Sequence, residues 1–147
     1  MDTCKILERL IAVDIDSEKR FRHAAGDVER ANFEHFLNQQ AEQRHRFVRE
    51  LQAVQEGLGF KSTDSGTLAG FIDREALDLS VAMSKGDTGV LEWCRRDDEE
   101  IIGEYEKALD EKPPAELRNL IERQLHDIRA AVITESDVLR LFGGPHS

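Results

Sequence analysis

Apolar residues recur at steps of three and four through almost the whole chain, and the punctuation between these runs is very short at two places. The first run, about Thr3 to Ala25, carries Leu7, Leu10, Ile11, Phe21 and Ala25 on one stripe. The second, about Val28 to Glu56, carries Phe33, Leu37, Val48 and Leu51. That period is the signature of amphipathic helices with one buried face. Between the two runs stand only Gly26 and Asp27, which read as a helix stop followed by an N-cap. Such a link leaves the chain no choice but to fold back, so the two helices form an antiparallel pair.

The second half repeats the device. A run over about 90–110 shows Leu91, Cys94, Ile102, Tyr105 and Leu109, and one over about 115–142 shows Leu117, Leu120, Ile121, Ile128, Val138 and Leu139. Pro113 and Pro114 separate them, because proline ends one helix and is tolerated in the first turn of the next. Between the two halves lies a long connection. It holds a Ser/Thr/Asp/Gly-rich loop from Lys61 to Thr67, a shorter helical run over about 68–84, and a break at Gly86-Asp87-Thr88-Gly89. The expected fold is all-α: an antiparallel four-helix bundle with one extra short helix between bundle helices two and three. Counted as an up-down bundle, the two tight turns lie at the same end. No repeat or composition shift divides residues 1–147, so a single domain is expected.

Composition narrows the classes of function. Thirty acidic against twenty basic residues give a net charge of −10, which repels phosphate backbones and acidic lipid surfaces. Nucleic acid is therefore not an expected partner, and no apolar run approaches membrane-spanning length. Two distant cysteines, Cys4 and Cys94, fit reduced thiols, and the charge-interrupted N-terminus does not read as a secretory signal. The expectation is a soluble, acidic, cytoplasmic protein.

A four-helix bundle raises the question of a carboxylate di-metal centre, built from Glu on two helices and Glu-x-x-His on the other two. One Glu-x-x-His occurs, at Glu42 and His45. At about 100° per residue both lie away from the apolar stripe. Glu122 and His126 share that fault, and His23, His35 and His146 also fall outside the stripes. No metal ligand set and no catalytic constellation is assigned.

Helical-wheel positions do turn some polar residues inward: Asp14, with Glu18 nearer the edge, Gln40, Arg44, Asp98, Gln124 and Glu135. Residue counts from the turns put Asp14, Gln40, Arg44, Asp98 and Gln124 within about two helical turns of one another. With an arginine among the carboxylates, the cluster neutralises itself without a metal. It is expected as a buried polar layer that fixes register. Trp93 projects outward on the wheel, to be covered by the short helix through Phe71, Ile72 or Leu79, or to be offered to a subunit interface.

The ordered pieces Asp16-Ser17-Glu18 before Phe21, Arg44-x-x-Phe47-x-x-Glu50-Leu51-Gln52, Val90-Leu91-Glu92-x-Cys94, Tyr105-Glu106-Lys107-Ala108-Leu109, Pro113-Pro114 and Leu120-Ile121-Glu122-Arg123-Gln124 resemble one family throughout most of the chain. It is an uncharacterised proteobacterial family of ferritin-like four-helix-bundle proteins, a domain of unknown function. The resemblance implies a ferritin-like fold and carries no activity; a stress association follows only by analogy with that fold. Relatives carry a His-Asp pair late in the last helix, where this chain has Val132-Ile133. The leading expectation is a non-enzymatic bundle that needs no cofactor and acts through protein contacts as a homo-oligomer. The alternative is an iron or manganese protein whose ligands would be oxygen donors: Glu18, Asp14, Asp98, Glu99, and Gln124 or Glu135. A third reading is a small-ligand pocket lined by Tyr105 and Arg44.

Overall fold

A computed structural model describes residues 2–66, 82 and 84–142. Among the described residues the chain is all-α, with four long helices: α1 (Thr3–Asp27), α2 (Ala31–Gly57), α3 (Gly86–Asp110) and α4 (Ala115–Phe142). The short helix expected over 68–84 falls outside the described residues, apart from Ala82 and Ser84.

Cross-helix bonds fix the direction of each helix. Glu18 meets His45 and Arg22 meets Glu42, so α1 and α2 are antiparallel. Arg9 binds Glu104, Ser17 binds Asp97, and the Glu29 and Arg30 amides bind Asp87, so α1 and α3 are antiparallel too. Tyr105 meets Gln124 whereas Asp98 faces Glu135, which sets α4 against α3. Consequently α2 and α3 run the same way, and the end of α2 and the start of α3 lie at opposite ends of the bundle. The two tight turns therefore lie at opposite ends, not at the same end as an up-down count expects. A groove at one end confirms this by gathering Thr3, Gly57, Leu58 and Pro114.

Local chemistry explains where the helices begin. Asp2 caps α1 by accepting from the Cys4 and Lys5 amides at 3.0 and 3.4 Å. Asp27 does not cap α2. It remains inside α1, and the N-cap of α2 is Arg30, which makes no side-chain cap bond. The link is instead held from another helix: the Asp87 carboxylate accepts from the Glu29 and Arg30 amides at 3.0 and 3.1 Å. Residues 86–89, expected as a break, form the first turn of α3. Gly86 enters it at φ +80, a conformation that favours glycine.

The core is in two parts. Ile6, Leu7, Leu10 and Ile11 pack with Phe47, Leu51, Ile101, Leu117, Ile121 and Ile128 toward one end. Phe21, Phe33, Leu37, Leu91, Trp93 and Cys94 pack toward the other. Each fully buried large side chain contributes about 1.5–3 kcal/mol, so these two clusters dominate stability. Between them, on every helix, the buried residues turn polar.

Candidate functional site

Asp14 and Ser17 of α1, Arg44 of α2, Asp98 of α3, and Gln124 and Glu135 of α4 are all sealed from solvent. Asp97 of α3 is buried beside them. Arg44 is central. Its Nη2 donates to Asp98 Oδ1 and its Nη1 to Gln43 Oε1. The guanidinium lies 5.4 Å from the Phe21 ring centroid and 5.9 Å from that of Phe47, so the two core clusters meet through its faces. Burial works against its charge, but Asp98 and Asp14 more than offset that and raise its pKa.

A second set of bonds runs from the interior to the surface. The Tyr105 hydroxyl lies 2.5 Å from Asp14 Oδ2 and 2.9 Å from Gln124 Oε1. The Gln124 amide nitrogen donates to Glu50 Oε1 at 3.0 Å and to the Phe47 carbonyl at 3.4 Å, which sets the orientation of that amide. One hydroxyl proton cannot serve two acceptors. When Tyr105 donates to Gln124, Asp14 must be protonated and donate to Tyr105. Burial pushes the Asp14 carboxyl up to about 7, against the opposing Tyr105 bond and the Arg44 charge, so this arrangement is populated near neutrality.

The remaining acids are balanced differently. Asp97 forms an ion pair with Arg20 at 2.6 Å and accepts from Ser17 at 3.4 Å. Burial still raises it to about 6. No donor among the described residues reaches either oxygen of Glu135, and Asp98 Oδ2 is likewise without one. Burial first, then the charge of Asp98, push Glu135 up to about 11. Glu135 with no donor and Asp98 with one oxygen open are satisfied when one of them carries a proton and gives it to the other.

Of the residues singled out in the sequence, Asp14, Arg44 and Asp98 meet in one layer, and Gln124 joins it through Tyr105. Gln40 is half-buried with its Oε1 unpartnered, and the glutamine touching Arg44 is its neighbour Gln43. Glu135, which the residue counts leave off the common level, faces Asp98. Ser17, Arg20 and Asp97 were not singled out. Asp97 precedes Asp98, and two successive helical acids were not both expected to point inward. Trp93, read as outward, is 4% exposed and packs in the cluster with Phe21 and Leu91. Its side chain is enclosed by its own chain.

The oxygen-donor ligand set does not assemble. Glu18 turns to the surface, where it pairs with Arg22 at 3.0 Å and His45 at 3.2 Å, and Glu99 pairs with exposed Arg95 at 2.8 Å. Among the described residues no three His, Cys, Asp or Glu side chains are placed to hold one metal ion. Tyr105 and Arg44, suggested for a ligand pocket, are both sealed from solvent. Among the same residues no helix is long and apolar enough to cross a membrane.

Residues 2–111, which span α1 to α3, match the model of the family described as domain of unknown function DUF2383, and the chain belongs to that family. The matched stretch ends just before α4. No curated protein and no solved structure matches the chain.

Proposed function

We propose that the chain is a single ferritin-like bundle domain over residues 1–147 whose mid-height layer is neutralised by arginine and protons. Its role is non-enzymatic: it acts through protein contacts, as a homo-oligomer. Two antiparallel helix pairs joined by one long crossover, with α2 and α3 parallel, support the ferritin-like reading of the topology. One observation carries the functional reading: the fully buried Arg44 guanidinium sits where a bundle of this kind would place a cation, among acids contributed by the other three helices. Trp93 is not available as an interface anchor, so contacts would fall on exposed apolar side chains such as Ile133 and Leu141 of α4, 63% and 74% exposed. Any stress association rests on fold analogy alone.

Elemental analysis of untagged protein, followed by anaerobic ferrous-ion titration, tests this reading. Absence of stoichiometric metal and of uptake is expected. Sedimentation over a wide concentration range tests the oligomer, and a strict monomer at high concentration would remove the contact role.

A second reading, a carboxylate-ligated iron or manganese protein, rests on the buried carboxyl oxygens of Asp14, Asp98 and Glu135 that have no donor, although among the described residues no three such side chains are placed around one ion. Hard cations take such oxygen sets. Stoichiometric iron or manganese lost in Asp98→Ala would establish it.

A further inference from the structure

The Glu42-x-x-His45 pair, which the buried layer leaves unused, lies on the outer face where α1 and α2 meet. His45 Nδ1 stands 3.2 Å from Glu18 Oε1. A carboxylate only accepts, so Nδ1 carries the ring hydrogen and the neutral ring keeps its lone pair on Nε2. Glu18 is itself held in place. Its Oε2 accepts from Arg22 Nε at 3.0 Å, and Arg22 Nη2 donates to Glu42 Oε1 at 3.0 Å. The imidazole is thus fixed from behind while its side chain stays 48% exposed.

Arg22 lies between the two acids of this face, Glu18 and Glu42. One helical turn beyond His45, on the same face of α2, stands Arg49. It is exposed and makes no ion pair among the described residues, so its guanidinium is placed to meet negative oxygens carried on Nε2. The other described histidines lack this arrangement. His23 is held through Nε2, 3.4 Å from Asp27, and His35 and His126 have no carboxylate partner among the described residues.

We propose that His45 is a phosphoryl-accepting site: Nε2 takes a phosphoryl group from a donor of the phosphoramidate class, with Glu18 positioning the ring and Arg49 holding the phosphoryl oxygens.

The step balances with no further reactant. The Nε2 lone pair attacks phosphorus, the new N–P bond forms and the donor's P–N bond breaks. The donor nitrogen, already protonated, leaves as a neutral amine with the electron pair. The Nδ1 hydrogen stays on the ring, which becomes an imidazolium, and the Glu18 carboxylate stabilises the charge that develops there. The site is separate from the buried layer, so neither metal uptake nor oligomeric state bears on its test.

The full chain is treated with phosphoramidate itself at neutral pH and digested under alkaline conditions, and each histidine is followed by mass spectrometry. The other histidines serve as internal controls, and the denatured chain calibrates the reagent. His45 is expected to react about fivefold faster than His35 or His126, and faster than it does in the denatured chain. Phosphorus NMR should show the Nε2 isomer at His45. Glu18→Gln should bring the rate down to that of His35 and mix the two ring isomers, an effect that loss of fold would spread over every histidine. Arg49→Gln should slow His45 without changing the isomer. Equal rates at all histidines, phosphorylation at Nδ1 of His45, a native His45 slower than in the denatured chain, or unchanged rates in both variants would overturn the proposal.

Discussion

Replacing Arg44 by leucine probes the layer at its centre. The substitution removes the guanidinium bound to Asp98 while leaving the carboxylate in place, and it strips the cation from between Phe21 and Phe47. Breaking one side of a buried ion pair costs about 3–5 kcal/mol, because the abandoned charge stays desolvated. A chain of 147 residues has a total stability on the order of 7–22 kcal/mol, so this loss is a substantial fraction. It corresponds to a fall in Tm of about 10 °C. Thermal unfolding by circular dichroism at pH 5.5 and pH 8 should show the larger drop at pH 8, since protons can replace the missing cation in acid. Arg44→Leu combined with Asp98→Leu should recover most of the loss, because an apolar pair needs no counter-charge. An unchanged Tm in the single variant, or a double variant no better than the single, would refute the reasoning.

Three further outcomes follow from the same structure. Asp14 and Asp97 are raised to about 7 and about 6 in the fold from 3.8, so the native state holds more protons than the unfolded chain between those values. Their contribution is complete below pH 3.8 and is lost as pH rises through the folded values, so urea unfolding should show stability falling from pH 5 to pH 7, by on the order of 1 kcal/mol per pH unit per group. Tyr105→Phe deletes the hydroxyl shared by Asp14 and Gln124; a loss of about 1–3 kcal/mol is expected, with the Asp14 midpoint moving upward in a carboxyl NMR titration. Gly66→Ala would set a Cβ 2.0 Å from Asp16 Oδ1 and should destabilise, whereas a Cβ at Gly103 meets nothing within 4 Å. Gly103→Ala should therefore raise Tm, by the roughly 1 kcal/mol that separates the two residues in a helix.

Helix positions were legible because the apolar stripes are long and the breaks are glycine and proline. Helix direction was not. Apolar stripes give the buried face of Leu91 or Ile128 but not the neighbour it meets, and only cross-helix bonds such as Arg9–Glu104 set α3 against α1. Asp14, Arg44 and Asp98 lie at one height all the same, since Asp98 sits near the middle of α3 and reversing the helix barely changes its level. Glu135 was off the count because residue tallies from a turn ignore how far α4 slides: Gln124 ends level with Tyr105, and Glu135 with Asp98. Asp27 looked like a cap because it follows glycine. The cap that operates comes from Asp87, fifty-eight positions beyond Glu29, which no local pattern signals.

The charge state of the layer is open to direct measurement. In protein carrying carbon-13 in its Asp and Glu carboxyl groups, the Asp14 and Glu135 signals can be followed from pH 4 to pH 11. A layer neutralised by arginine and protons requires Asp14 to titrate near 7, with Glu135 staying protonated up to about 11. Both carboxyls fully ionised by pH 5 would contradict it, and would require a cation other than arginine in the core.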